Sequence, residues 1–544
     1  MTQFSSTARP CSQVRFDGRK DAAYRWFPTI VALVVGIAIL QSASPAHAQA
    51  KRKVARDLSA FVKQHAELHK NFAKALEAIA VECDEKNLAE AAANVRLLAA
   101  PIDTSRLRVT PLPRDVQPDL PIDLPPDERF WRTQTRLQRK DYSQKLYQLS
   151  RHALDSGHVS FAFDLVRETA FHEPDHPTAR KILGFVRSGT EWMSPFEAVK
   201  LKSGQVWHDR FGWLPKSHVE RYEKGERFVR GRWMSEAKAD IAHEDFRNAW
   251  EIRTEHFQIK TNHSLDRGVE LATKLEEFHT VFFQTFASFF HTPEAMKSLF
   301  SGSDGAARVI AAPYKVYFYR TKDEYLAELR PKTNQPIEIT NGMFFPETGI
   351  SYFFDGPNAK EEELDATLYH EATHQLFSVA RPRAVPIGQR SDFWIIEGIA
   401  CYMESFVCDR ENHQVSLGDP FYSRFVAARL HLENDKYYVP LQEFTRMGMA
   451  PYQSVKQPHI AWNYSQGAAL AHFFMHFDNG RYRDDLIEHL SQIYSDTKRT
   501  RDAPAGLDEL TGVPFGELDQ QYQAYLKTLN NKPFALKPDR QPAE

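Results

Sequence analysis

The sequence predicts an α+β protein, and three observations carry that prediction. Between Glu255 and Phe354 the apolar residues recur at strand spacing, as in KVYFYR (315–320) and GMFFPETGISYFF (342–354). From Glu361 to about Pro533 they recur at helical spacing instead. Before residue 187 the spacing is also helical, so strands and helices are segregated along the chain rather than alternating as βαβ units.

Taken in order, residues 1–48 read as a secretory signal. Arg15, Arg19, Lys20 and Arg25 precede the apolar run Ile30 to Leu40, and Ala46-His47-Ala48 closes it as an A-x-A cleavage site. The run falls short of the ~20 residues that span a bilayer, so cleavage near Ala48 and export to the periplasm or outside the cell are expected. The alternative is an N-terminal anchor. Residues 49–100 predict a helical hairpin, with Leu58, Phe61, Val62, His65, Leu68 and Phe72 at helical offsets. Seven prolines between 101 and 126 predict a stiff linker. Residues 127–186 are helical again, and Leu149, Gly157, Ala162 and Pro174 match a single tetratricopeptide-like repeat. Such a helix pair could dock a protein partner. In 187–249, Trp192-Met193-Ser194-Pro195, Gly212-Trp213-Leu214-Pro215 and Gly231-Arg232-Trp233-Met234 recur about twenty residues apart, predicting a small β-rich connector in which each Trp pins a strand. Residues 250–530 form the main α+β unit and 531–544 a tail.

Bulk properties name no partner. With 544 residues, 42% hydrophobic content and a formal charge of -2, the chain lacks a nucleic-acid binder's basic footprint. No stable membrane span is expected after processing. Cys11 leaves with the signal, and Cys83, Cys401 and Cys408 read as thiols rather than a disulfide scaffold.

The chemistry lies in LDATLYHEATHQLFSV (364–379). Its histidines, His370 and His374, are four apart and lie one above the other on a helix face. Two neutral imidazoles so placed can hold one Zn²⁺, with Glu371 projecting beside an open position as a base. A third ligand is needed, and Glu397 supplies a candidate. It stands among Trp394, Ile395, Ile396 and Ile399, where an unpaired carboxylate is expensive unless it binds a metal or a cation.

His370-Glu371-x-x-His374 followed by Trp394-x-x-Glu397-Gly398-x-Ala400-x-Tyr402 resembles the gluzincin zinc metallopeptidases, particularly the aminopeptidase-N-like branch and bacterial exported relatives. The resemblance implies a thermolysin-like domain over about Trp250 to Leu529 and one Zn²⁺ per chain on His370, His374 and Glu397. It also implies Glu371 as general base and a polypeptide substrate. One departure matters. The branch carries a Gly-x-Met-Glu-Asn strand whose Glu grips a free amine, and here the matching place reads Gly342-Met343-Phe344-Phe345. Endopeptidase action is therefore expected over aminopeptidase action. Tyr464, in Trp462-Asn463-Tyr464-Ser465-Gln466-Gly467, resembles the family's oxyanion-binding tyrosine, with a core tyrosine as the alternative. Glu404, two helical turns beyond Glu397, is expected to accept the other N–H of a ligating imidazole, with Asp365 as the alternative acceptor.

Two further histidine pairs share the spacing. His65 and His69 read as an exposed helix face, and His472 and His476 as core histidines. Two rival functions stand beside the peptidase: a metal-holding binding protein on the same fold, and a zinc hydrolase acting on other bonds.

Overall fold

The computed structural model describes residues 57–100, 105–302, 312–333, 337–356, 361–382, 387–409, 414–495 and 504–529. The expected signal and tail lie outside them. The described segments belong to one compact unit.

Helices α1 (Ser59–Glu85) and α2 (Ala89–Leu98) form the expected hairpin. Phe72, Leu76, Ile79 and Cys83 of α1 recur every three or four residues, and this stripe is buried with Tyr142, Leu146 and Leu149 of α3 (Pro126–Asp155). Pro126 opens α3 at a position where a helix needs no N–H. Gly157, at φ +85°, turns the chain back into α4 (Val159–His172), and α5 (Pro177–Ile182) follows. His65 is not on an exposed face: its Nε2 lies 2.8 Å from the carboxylate of Glu168 on α4, so the hairpin is tied to the helix pair.

The proline-rich segment is also more than a linker. Its β1 (Leu107–Val109) pairs antiparallel with a strand more than 300 residues downstream, described below. Three hairpins follow, each leading into a short helix: β2 (Val186–Ser188) and β3 (Glu191–Met193) before α6 (Pro195–Lys202); β4 (Gln205–His208) and β5 (Gly212–Pro215) before α7 (Val219–Glu223); β6 (Glu226–Val229) and β7 (Arg232–Ser235) before α8 (Glu236–His243). Each hairpin carries its tryptophan as expected. Trp192 is buried with its N–H donated to Asp175 (2.7 Å), and Trp213 faces Trp207 across its hairpin with ring centres 5.8 Å apart. Phe211, Leu214 and Val229 join the main core, so the second and third hairpins are built onto the larger unit.

That unit centres on a five-stranded mixed sheet built from β8 (Trp250–Arg253), β9 (Phe257–Thr261), β10 (Tyr314–Tyr319), β11 (Gly342–Phe345) and β12 (Ile350–Phe354). The spatial order is β11-β12-β10-β9-β8, with β12, β10 and β9 parallel and both edge strands antiparallel to their neighbours. Helix α9 (Leu265–Thr285) connects β9 to β10, followed by α10 (Ala287–Phe290) and α11 (Pro293–Phe300). One continuous helix is expected over 265–290; the structure breaks it at Phe286, which is buried and no longer helical. After α12 (Lys322–Leu329) and the β11–β12 pair come α13 (Glu361–Ala380) and α14 (Phe393–Met403). Strands β13 (Val407–Asp409) and β14 (Gln414–Leu417) then interrupt the helical half, and β14 is the partner of β1. The remainder is helical: α15 (Ser423–Glu433), α16 (Leu441–Phe444), α17 (Met449–Gln453), α18 (His459–Gly480), α19 (Arg483–Ile493), α20 (Leu507–Thr511) and α21 (Phe515–Thr528). Cys83 and Cys401 are buried and Cys408 half-buried, and none of the three is in a disulfide.

Helices α14 and α18 pack backbone against backbone. A Cβ on Gly398 would lie 2.6 Å from the carbonyl oxygen of Gly467, and Gly467 itself has the Tyr452 hydroxyl at 2.9 Å from its own would-be Cβ. Only hydrogens fit. Alanine is ordinarily the better helix former by up to ~1 kcal/mol. Here the obstacle is backbone, so Gly398→Ala is expected to cost ~1–3 kcal/mol through overpacking. Thermal melts check this: a Tm equal to or above the parent's would show that the helices separate freely.

Candidate metal centre

Helix α13 is held against the sheet by Gln375, whose buried amide donates to the carbonyls of Lys315 (2.8 Å) and Gly349 (2.9 Å). That anchor sets the rotation of the helix and turns His370 and His374 toward α14. Their Nε2 atoms lie 3.2 Å apart, with the rings at 77° to one another. From α14, Glu397 brings Oε2 to 3.5 Å from His370 Nε2 and 3.9 Å from His374 Nε2. One tetrahedral ion with ligand bonds of ~2.1 Å separates its donors by roughly 3.4 Å. The three donor atoms thus match a single small ion, and these residues could hold a metal. All three side chains are mostly buried, between 14% and 17% exposed, which leaves a route for solvent.

Glu404 follows the last residue of α14 and is buried, its Oε1 2.8 Å from His370 Nδ1. This contact directs Nε2 of His370 toward His374 and Glu397. Asp365, the alternative acceptor, is instead paired with Lys274 at 2.8 Å. Glu404 is in turn clamped by Arg424 of α15, with Nη2 2.8 Å from Oε1, and by the Tyr422 hydroxyl 2.8 Å from Oε2. Nothing in the spacing of the sequence announces Arg424 or Tyr422. They reach the site because the β13–β14 hairpin returns the chain to the end of α14.

The charges are strongly coupled. Burial works against a charged His370, but Cys401, Glu397 and Glu404 outweigh it and hold its pKa well above the usual histidine value. Burial pushes His374 down. Burial also opposes ionisation of Glu404, yet His370 and Arg424 overcome it and bring its pKa down to about 2. Glu404 therefore stays ionised and available as an acceptor for the imidazole N–H. Glu404→Ala is expected to weaken divalent-metal affinity by ~10–100-fold, the usual effect of removing such a partner. Competition with a chromophoric chelator measures it, and an unchanged affinity would sever Glu404 from the metal.

Glu371, on the same helix, accepts the backbone N–H of Phe344 through Oε2 at 2.7 Å, so it sits against the edge strand β11. Gly342 makes this approach close, since a Cβ there would come within 3.0 Å of the Thr367 methyl on α13. Tyr464, on α18, takes a hydrogen bond from the Gln453 amide (2.9 Å). Burial, and next the charge of Glu397, push its pKa up. It belongs to the same electrostatic neighbourhood as Glu397, carried there by the Gly398–Gly467 contact. His472 and His476 are core histidines as expected: His472 donates Nε2–H to the Gly418 carbonyl (2.9 Å) and accepts from Tyr525, and His476 Nε2 is hydrogen-bonded to the Tyr402 hydroxyl (2.8 Å).

No family model matches the chain, and no curated protein matches it.

Proposed function

We propose that the chain is an exported zinc metallopeptidase of the gluzincin type with a thermolysin-like domain. The observation that carries the reading is the convergence of His370, His374 and Glu397 donors at 3.2–3.9 Å with Glu371 on the same helix. Zinc is the ion that two imidazoles and one carboxylate suit best in a hydrolytic site. Bound there, it would supply Lewis acidity to a scissile carbonyl and to a nearby water.

The chain's own residues divide the remaining work. Glu371 takes the proton of the attacking water and returns it to the leaving amine. Its tether to Phe344 keeps the carboxylate beside β11, where an extended peptide could add as a further strand. Tyr464 accepts from Gln453, which leaves its own O–H to donate to a developing oxyanion. Glu404, held by Arg424 and Tyr422, fixes His370. Gly342-Met343-Phe344-Phe345 offers no carboxylate to a free amine, so internal cleavage of flexible polypeptides is the expected activity. Zinc-loaded protein should therefore cleave N-blocked peptides faster than it releases single residues from aminoacyl reporters. Strong turnover of the reporters with none of the blocked peptides would overturn the endopeptidase reading. Export rests on the N-terminal residues; among the described residues no helix is long and apolar enough to cross a membrane.

A further inference from the structure

Away from α13 and α14, a second group of donors converges. His256 sits in the turn between β8 and β9, while Glu276 and His279 lie one turn apart on α9. One ligand atom from each lies within 4.8 Å of the other two. Glu276 holds His256 twice, accepting its backbone N–H through Oε1 and meeting Nδ1 with Oε2, both at 2.7 Å. The imidazoles of His256 and His279 stack with ring centres 3.6 Å apart and planes at 21°. Glu255 brings a second carboxylate to 3.8 Å from His256 Nε2.

Glu255, His256 and His279 line a cavity of about 80 Å³. Its other walls include His291 after α10, Ile182 at the end of α5 and Phe185 just beyond it. The cavity therefore lies where the helical N-terminal region meets the sheet-bearing half.

We propose that His256, Glu276 and His279 bind a second divalent transition-metal ion, independent of the site on His370, His374 and Glu397. Two imidazoles and a carboxylate select Zn²⁺, Ni²⁺ or Cu²⁺ over Ca²⁺ and Mg²⁺, which take oxygen donors. A simple proton-sharing pair explains His256 and Glu276. Beside that pair stand a second, buried imidazole laid against the first, a further carboxylate and a third histidine, gathered at one cavity. The stacked rings must fan apart to aim both lone pairs at one ion, and the cavity beside them gives that movement room. Such an ion would fasten the β8–β9 turn to α9, so its role is to brace this junction.

The test is zinc stoichiometry of the mature, metal-stripped protein, titrated against a competing chelator. The parent is expected to take two equivalents, His374→Ala one, and His374→Ala with His279→Gln none. The proposal is overturned if His374→Ala takes none, or if its remaining equivalent survives His279→Gln. A failure of the first site looks different: parent and His374→Ala would then each take one equivalent, lost in both on adding His279→Gln. Circular dichroism checks folding, and Glu276→Gln serves in place of His279→Gln should the latter unfold. Zinc should also raise the Tm of His374→Ala, because an ion bound only by the folded chain stabilises it.

Discussion

Glu371→Gln is expected to keep its metal and melt close to the parent while losing at least ~10²-fold in peptide cleavage, the usual contribution of a general base. Glutamine preserves size and can still accept the Phe344 N–H through its amide oxygen, so the 2.7 Å tether to β11 can persist. It cannot take a proton from water. Nor is Glu371 among the three donors that face one another at 3.2–3.9 Å, so metal content should not fall. The measurement compares parent and variant on one peptide library at neutral pH, with zinc content assayed in parallel. A metal-holding scaffold predicts no difference, since its task needs no proton transfer; equal cleavage by both proteins would replace the peptidase reading with that one.

His374→Ala should have an equally large effect by another route. Two remaining donors, His370 and Glu397, rarely hold a catalytic zinc. The variant should bind about one ion per chain fewer than the parent and lose detectable cleavage, and unchanged metal content would end the assignment. The same site predicts a pH dependence. In the metal-free protein His370 is held protonated to higher pH than an ordinary histidine by Cys401, Glu397 and Glu404, which outweigh burial. A metal must displace that proton. Affinity at this site should therefore rise with pH until the raised pKa is passed, and fall as pH drops below it.

The local features of the site were legible in the sequence because they are set by short-range geometry. Histidines four apart share a helix face wherever that helix forms, and a glutamate amid Trp394, Ile395 and Ile399 needs a partner in any fold. The strand pair Gly342–Phe345 and Ile350–Phe354 was equally readable, since alternation and the Pro346 to Gly349 turn lie within thirteen residues. Contacts that cross the chain were not. Strand β1 lies in a proline-rich stretch and becomes a strand only because β14 offers it an edge. His65 falls in register with Phe61, Leu68 and Phe72, yet no local spacing names its partner, and only the docking of α4 supplies Glu168.

Residue identity and local period alone account for the segregation of strands and helices, the HExxH helix, the isolated glutamate and the lack of a carboxylate in Gly342-Met343-Phe344-Phe345. Each depends on residue identity and a period of two or 3.6, which the chain carries locally. The remaining features come from long-range packing. Gln375 sets the rotation of α13 against the sheet, and the Gly398–Gly467 contact sets how near α18 comes to Glu397. The β13–β14 hairpin delivers Arg424 and Tyr422 to Glu404. These are relations between segments distant in sequence, fixed by steric fit and by the need of buried charges for partners, and no local period encodes them.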